Sequence, residues 1–104
     1  MLPTLTPQQR ADALQKAALA RTERAEIKGR LKNGTATLSE VVGLAETSEI
    51  IARMKVSAVL RALPGVGEVR ARQIMQRLGI AESRRVRGLG ANQRAALEAE
   101  FPAA

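Results

Sequence analysis

This sequence predicts an all-α fold in a single small domain, and three observations carry that prediction. Ala, Leu, Arg, Glu and Gln dominate the 104 residues, and all five favour helix. Val and Ile are scattered rather than alternating, so nothing reads as a strand. Capping residues and glycine turns recur at short intervals: Thr6, Thr37 and Ser48 at helix starts, Gly34 and Gly79 at helix ends. With 19 Ala and one aromatic, Phe101, the core is expected to be built from thin, closely approaching helices.

Thr6-Pro7-Gln8-Gln9 starts the first helix: Thr6 caps, Pro7 suits the first helical position, and Gln9 completes a capping box. It is expected to run over 6–32 and to end at Asn33-Gly34, with Ala11, Leu14, Ala18, Ala25, Ile27 and Leu31 as its apolar stripe. Its first two or three turns have little to bury and should project from the body. Charges alternate from Arg21 to Glu26, which reads as a solvated face. Thr37-Leu38-Ser39-Glu40 is a second capping box, opening a short helix through Val41, Val42, Leu44 and Ala45. Ser48 caps a third, carrying Ile50, Ile51 and Met54. Lys55 to Leu63 and Glu68 to Leu78 form two arms of a hairpin, the second with Val69, Ile74, Met75 and Leu78 inward. Gly79 ends it. Ala91 to Phe101 makes the last helix, closed by Pro102. Residues 37–101 form the compact body, and the domain expectation spans 1–104.

Between the hairpin arms lies Leu63-Pro64-Gly65-Val66-Gly67. Pro-Gly stops one helix, and a second Gly two residues later lets the chain reverse and open the next. Gly65 and Gly67 can both take positive φ, and without side chains they allow another molecule close to the backbone. The first N–H groups of the new helix lack intrahelical partners and carry the positive end of its dipole, which suits a phosphate. The pattern, with Val59, Leu60, Ala71 and Ile74, looks like a helix-hairpin-helix DNA-binding element; a plain tight turn between helices is the competing reading.

Charge placement agrees with a polyanionic partner. Net charge is +7, and residues 53–104 hold ten basic against four acidic side chains, whereas residues 1–52 are nearly balanced at seven against six. The basic residues of the second half are all Arg except Lys55, and Arg grips phosphate bidentately. Such a face reads as nucleic acid first and acidic membrane second. A second glycine turn, Gly88-Leu89-Gly90, repeats the spacing of Gly65-Val66-Gly67 and follows Arg84, Arg85 and Arg87. Two such turns could present amide groups to successive phosphates, and Arg in a loop can reach a minor groove. A loop that needs Gly for its turns, with solvated Arg, is the plainer alternative.

Met54-Lys55-Val56-Ser57, Leu63-Pro64-Gly65-Val66-Gly67 and Ser83-Arg84-Arg85-Val86-Arg87-Gly88-Leu89-Gly90 together resemble the actinobacterial integration host factor family, over almost the whole chain. The resemblance implies a helical nucleoid-associated protein with a helix-two-turn-helix element, like that of a ribosomal small-subunit protein. It implies binding of duplex DNA with little sequence preference, nucleoid organisation, and effects on supercoiling and site-specific recombination. A topoisomerase or recombinase acting on the same DNA is the further partner class. The expected DNA-binding residues are Lys55, Pro64, Gly65, Val66, Gly67, Val69, Arg70, Arg84, Arg85, Arg87, Gly88 and Gly90. The family commonly has a basic residue where this chain has Glu68, whose carboxylate would compete with phosphate for the helix-start amides.

Other functions are disfavoured by residue inventory. A DNA glycosylase or lyase needs an amine nucleophile and a carboxylate near the hairpin; Asp12 is the one Asp, no Lys follows Lys55, and there is no His. With neither His nor Cys, no metal or other cofactor is expected, and no small-molecule substrate. Structured RNA or the ribosome is the alternative partner, though a single aromatic leaves little for stacking single-stranded bases. No apolar run reaches membrane-spanning length and the N-terminus lacks a secretory pattern, so a cytoplasmic, nucleoid-associated location is expected.

Overall fold

In a computed structural model, which describes residues 4–102, six α-helices and one 3₁₀ turn account for all the regular structure among those residues. The ends of the 1–104 expectation, 1–3 and 103–104, lie outside the described residues. The helices are α1 (Pro7–Asn33), α2 (Leu38–Leu44), α3 (Glu49–Ala52), α4 (Val56–Ala62), α5 (Glu68–Arg77) and α6 (Ala91–Glu100). The 3₁₀ turn covers Val86–Gly88.

Both expected capping boxes form. Thr6 Oγ1 accepts from the Gln9 N–H at 3.1 Å while Gln9 Oε1 accepts from the Thr6 N–H at 2.9 Å. Thr37 and Glu40 repeat the exchange, with both bonds at 3.1 Å. Gly34 (φ 75°) and Gly79 (φ 71°) follow α1 and α5 in the left-handed region. After α5 the Ile80 N–H reaches Met75 O at 2.8 Å and the Gly79 N–H reaches Gln76 O at 3.2 Å, a Schellman closure with Ile80 and Met75 both buried. The Ser48-capped helix is shorter than expected. It stops at Ala52, and Met54 is buried in the following turn.

The core gathers Ile27 and Leu31 of α1 with Val41 and Val42 of α2, Ile51, Val59 and Leu60, Ala71, Ile74 and Met75 of α5, and Leu97 of α6. Leu31, Val41, Leu60 and Leu97 have no solvent exposure. Phe101 packs against this core from its edge. Two sequence expectations about inward faces fail. In α1 only Ile27 and Leu31 are buried; Ala11, Leu14 (69% exposed), Ala18 and Ala25 face solvent. At 100° per residue those four lie on the side of the helix opposite Ile27 and Leu31, so the proposed stripe merged two faces. Every residue from Pro7 to Leu19 is exposed, and this projecting rod accounts for much of the 48 Å long axis. In α5, Val69 is 64% exposed rather than inward. It falls one residue after Glu68 at the helix start, on the side away from Ala71, Ile74 and Met75.

Ion pairs attach the last helix. Arg94 contacts Glu98 at 3.2 Å and Glu46 at 3.4 Å, linking α6 to the end of α2. The hydrogen bond to Glu98, more than that to Glu46, raises the Arg94 pKa above its ordinary value. Arg77 holds Glu100 at 2.6 Å.

Candidate nucleic-acid interface

Leu63-Pro64-Gly65-Val66 closes through a Val66 N–H to Leu63 O bond of 3.2 Å, with Pro64 second and a left-handed Gly65 (φ 74°) third. That is the type II pattern, and it needs glycine at Gly65. Gly67 differs from expectation: its φ of −89° and ψ of −177° are extended, open to any residue. A Cβ on Gly67 would meet nothing within 4 Å. The fold therefore demands Gly65 but not Gly67. Val66 between them is buried and anchors the turn to the core. No side chain caps the start of α5. Glu68, expected to compete for those amides, instead lies 3.4 Å from Arg72, which also reaches Glu82 at 3.5 Å. Arg70 Nη1 donates to Gly65 O at 3.4 Å and so sits beside the turn.

The second turn shares the spacing but not the conformation. Val86–Gly88 is a 3₁₀ turn closed by the Leu89 N–H to Val86 O bond of 3.2 Å, and Gly88 is not left-handed. A Cβ on Gly88 would lie 3.1 Å from Arg84 Cδ, because the Arg84 side chain crosses it to donate to Gly88 O at 2.8 Å. Gly90 caps α6 in extended conformation (φ −71°, ψ 160°) as Gly67 caps α5. Here the amide is occupied: the Gly90 N–H donates to Gln93 Oε1 at 3.1 Å, and Gln93 Nε2 donates to Gly79 O at 3.0 Å.

Of Arg84, Arg85 and Arg87, two carry structural contacts. Arg84 holds Gly88 O, and Arg85 Nη1 donates to Arg53 O. The backbone is tied as well. The Val56 N–H meets Arg84 O at 3.0 Å and the Val86 N–H meets Met54 O at 2.9 Å, so Lys55 and Arg85 form an antiparallel bridge. This pairing brings together two of the segments, 54–57 and 83–90, that carried the family resemblance. Arg87 makes no hydrogen bond or ion pair among the described residues, and it lines a shallow hollow with Val42, Val86, Leu89 and Arg94.

The sequence offers Lys16, Arg21, Arg24 and Lys28 of α1 as cations to lie along phosphates, with Glu23 and Glu26 counting against them by local neutralisation. Arg24 and Lys28 line one hollow with Arg53, Lys55 and Arg85; Lys28 and Lys32 line a neighbouring one with Arg61, Pro64 and Gly65. Positions 21, 24, 28 and 32 fall on one side of the helix, while Glu23 and Glu26 fall away from it. Glu23 accepts from Ser48 Oγ at 2.8 Å, so it does not neutralise that side. The spacing of the cations carries the signal, and the interleaved Glu23 and Glu26 weaken it in the sequence without weakening it on the helix face. Among the described residues, Lys28, Lys32, Lys55, Arg61, Arg70, Arg84, Arg85 and Arg87 have no carboxylate partner; Arg53, Arg72, Arg77 and Arg94 do. Cations left unpaired around two backbone turns form a surface suited to a polyanion.

The fold and this surface define a small helical domain with paired turns. Residues 31–101 match the S13-like H2TH domain. The chain belongs to the integration host factor family of actinobacteria. It is 65% identical over 100 residues to integration host factor of Streptomyces coelicolor, covering 96% of this chain and 94% of that one. It is 55% identical over 103 residues to that of Mycobacterium tuberculosis, covering 99% and 98%. A solved structure described as sIHF bound to an 8bp palindromic DNA superposes with a TM-score of 0.82 at 63% identity, covering 84% of this chain and 98% of that one.

Proposed function

We propose that this chain is a nucleoid-associated protein that binds duplex DNA through the phosphate backbone and minor groove, with low sequence specificity. The observation that carries the reading is the set of unpaired cations around the bare start of α5 and the Arg84–Arg87 loop. The DNA-bound relative at 63% identity supports it. In this reading Gly65 and Gly67 admit a phosphate to the α5 amides, with Pro64 and Val66 holding the turn rigid and Arg70 beside it. Val69, exposed next to that turn, gives an apolar contact to a deoxyribose. Lys55, Arg85 and Arg87 grip flanking phosphates, and Arg84 acts mainly by holding the turn at Gly88. Gly90 positions the start of α6.

Residues 6–32 and 37–101 act as one DNA-binding unit, with the α1 cations extending the basic face. The biological consequence is nucleoid organisation in the cytoplasm, with effects on supercoiling and site-specific recombination by a topoisomerase or recombinase acting on the same DNA. We assign the chain no catalytic step. Among the described residues, no helix is long and apolar enough to cross a membrane. Affinities for a random duplex, duplex RNA and a stem-loop RNA at one salt concentration test the proposal. Preference for duplex DNA is expected; tighter binding to either RNA overturns it in favour of a structured-RNA or ribosome-associated role.

A further inference from the structure

Gly29 lies in the interior of α1, where glycine is unfavourable, and the fold supplies no reason for it. Its φ is not left-handed, and a Cβ there would meet nothing within 4 Å. What lies beside it is a hollow of about 460 Å³ between α1 and the α4–α5 turn. Gly29, Ala58, Ala62 and Gly65 give small-residue lining, and Lys28, Lys32 and Arg61 supply the charge. No acidic residue lines it, unlike the hollow beside Arg72, where Glu68 and Glu82 intrude. Among the described residues, Lys28, Lys32 and Arg61 make no ion pair and no side-chain hydrogen bond.

We propose that this hollow seats a phosphodiester and its deoxyribose from the duplex gripped at the Pro64–Gly67 turn, and that Gly29 is the residue that keeps it open. The inference rests on the DNA-binding reading above. Lys28 and Lys32 are one helical turn apart and flank the gap, with Arg61 bringing a third cation from α4. A Cβ-free helix backbone lets the sugar approach closely. An extended polyanion fits better than a compact one. The hollow begins at Pro64 and Gly65, and it shares Lys28 and Ala58 with the adjoining hollow around Lys55 and Arg85.

The test uses Gly29→Ala and Gly29→Leu in the full chain. Gly29→Ala should raise Tm by about 4 °C through helix propensity alone, showing that side chains are tolerated there. Gly29→Leu should stay folded while its affinity for a random duplex falls roughly fivefold. Lys28→Gln with Arg61→Gln should flatten the dependence of log K on log salt by about 2. Folded Gly29→Leu that binds duplex as tightly as the wild type overturns the seat, while wild-type binding shows that the DNA reading stands. Loss of wild-type binding itself overturns both. If inorganic phosphate at constant ionic strength raises the Tm of the wild type but not of Gly29→Leu while both bind the duplex equally, the occupant is a free anion and the duplex assignment is overturned.

Discussion

Gly65-Val66-Gly67 and Gly88-Leu89-Gly90 are alike as sequence and unlike as structure. In both, the second glycine is the extended cap of a ten-residue helix, and a four-residue turn closed by a backbone hydrogen bond precedes it. The first reversal needs a left-handed glycine, whereas the second is a 3₁₀ turn with an arginine laid across it. The first helix start is bare, and the second is partly filled by Gln93. Equal spacing therefore does not mean equal roles: the first turn is shaped to admit a phosphate, while the second is braced from within and offers side chains instead.

Removing the side chains offered by the second turn should have the largest effect. Arg84, Arg85 and Arg87 changed together to Ala should lower duplex affinity at least about tenfold, or more than about 1.4 kcal/mol. Because Arg84 and Arg85 also hold Gly88 O and Arg53 O, thermal melting should show a stability loss of about 1 kcal/mol, which Arg87→Ala alone does not share. If affinity is unchanged while the protein remains folded, the second turn contributes nothing to binding.

Next comes the backbone of the first turn. Gly65→Ala forces a side chain into the left-handed region and should cost about 1 kcal/mol, seen as a Tm drop of roughly 4–8 °C. Gly67→Val should leave Tm nearly unchanged, since open space surrounds that position, yet weaken duplex binding roughly threefold to fivefold. A Gly67→Val protein with lowered Tm and normal affinity would reverse the contrast drawn between the two glycines.

The smallest effect is expected at Gly88. Alanine there crowds Arg84 Cδ at 3.1 Å, and that flexible chain can move aside, so Gly88→Ala should cost less than about 1 kcal/mol. Its affinity should fall less than that of Gly67→Val. A larger loss than at Gly67 would make the second turn the main point of backbone approach.

Much of this was legible before the fold was seen, because the signals were local. Thr6, Thr37, Ser48, Gly34 and Gly79 act on the residues beside them, so helix boundaries followed from adjacent side chains. The Pro64-Gly65 reversal was readable for the same reason. What failed depended on which way a face pointed or on contacts distant in sequence. Ala11, Leu14, Ala18 and Ala25 form a genuine stripe, but nothing local states that Ile27 and Leu31 turn the opposite side to the core. The 3₁₀ geometry at Gly88 is selected by Arg84 and by pairing with Met54–Val56, some 30 residues away. The Arg24–Lys32 cations joined the basic face only once α1 packed against α4.

The claim at the centre is that phosphates are held locally, by the cations around the glycine turns, and not by net charge alone. The most direct measurement is the salt dependence of duplex affinity for two variants of equal charge. One is Arg85→Ala with Arg87→Ala, at the second turn. The other is Arg10→Ala with Lys16→Ala, on the exposed outer half of α1. Wild-type log K should fall against log salt with a slope of roughly −4 to −5. The turn variant should flatten that slope by about 2 and the α1 variant by less than about 0.5. Equal flattening by both variants, or a wild-type slope near zero, would contradict it.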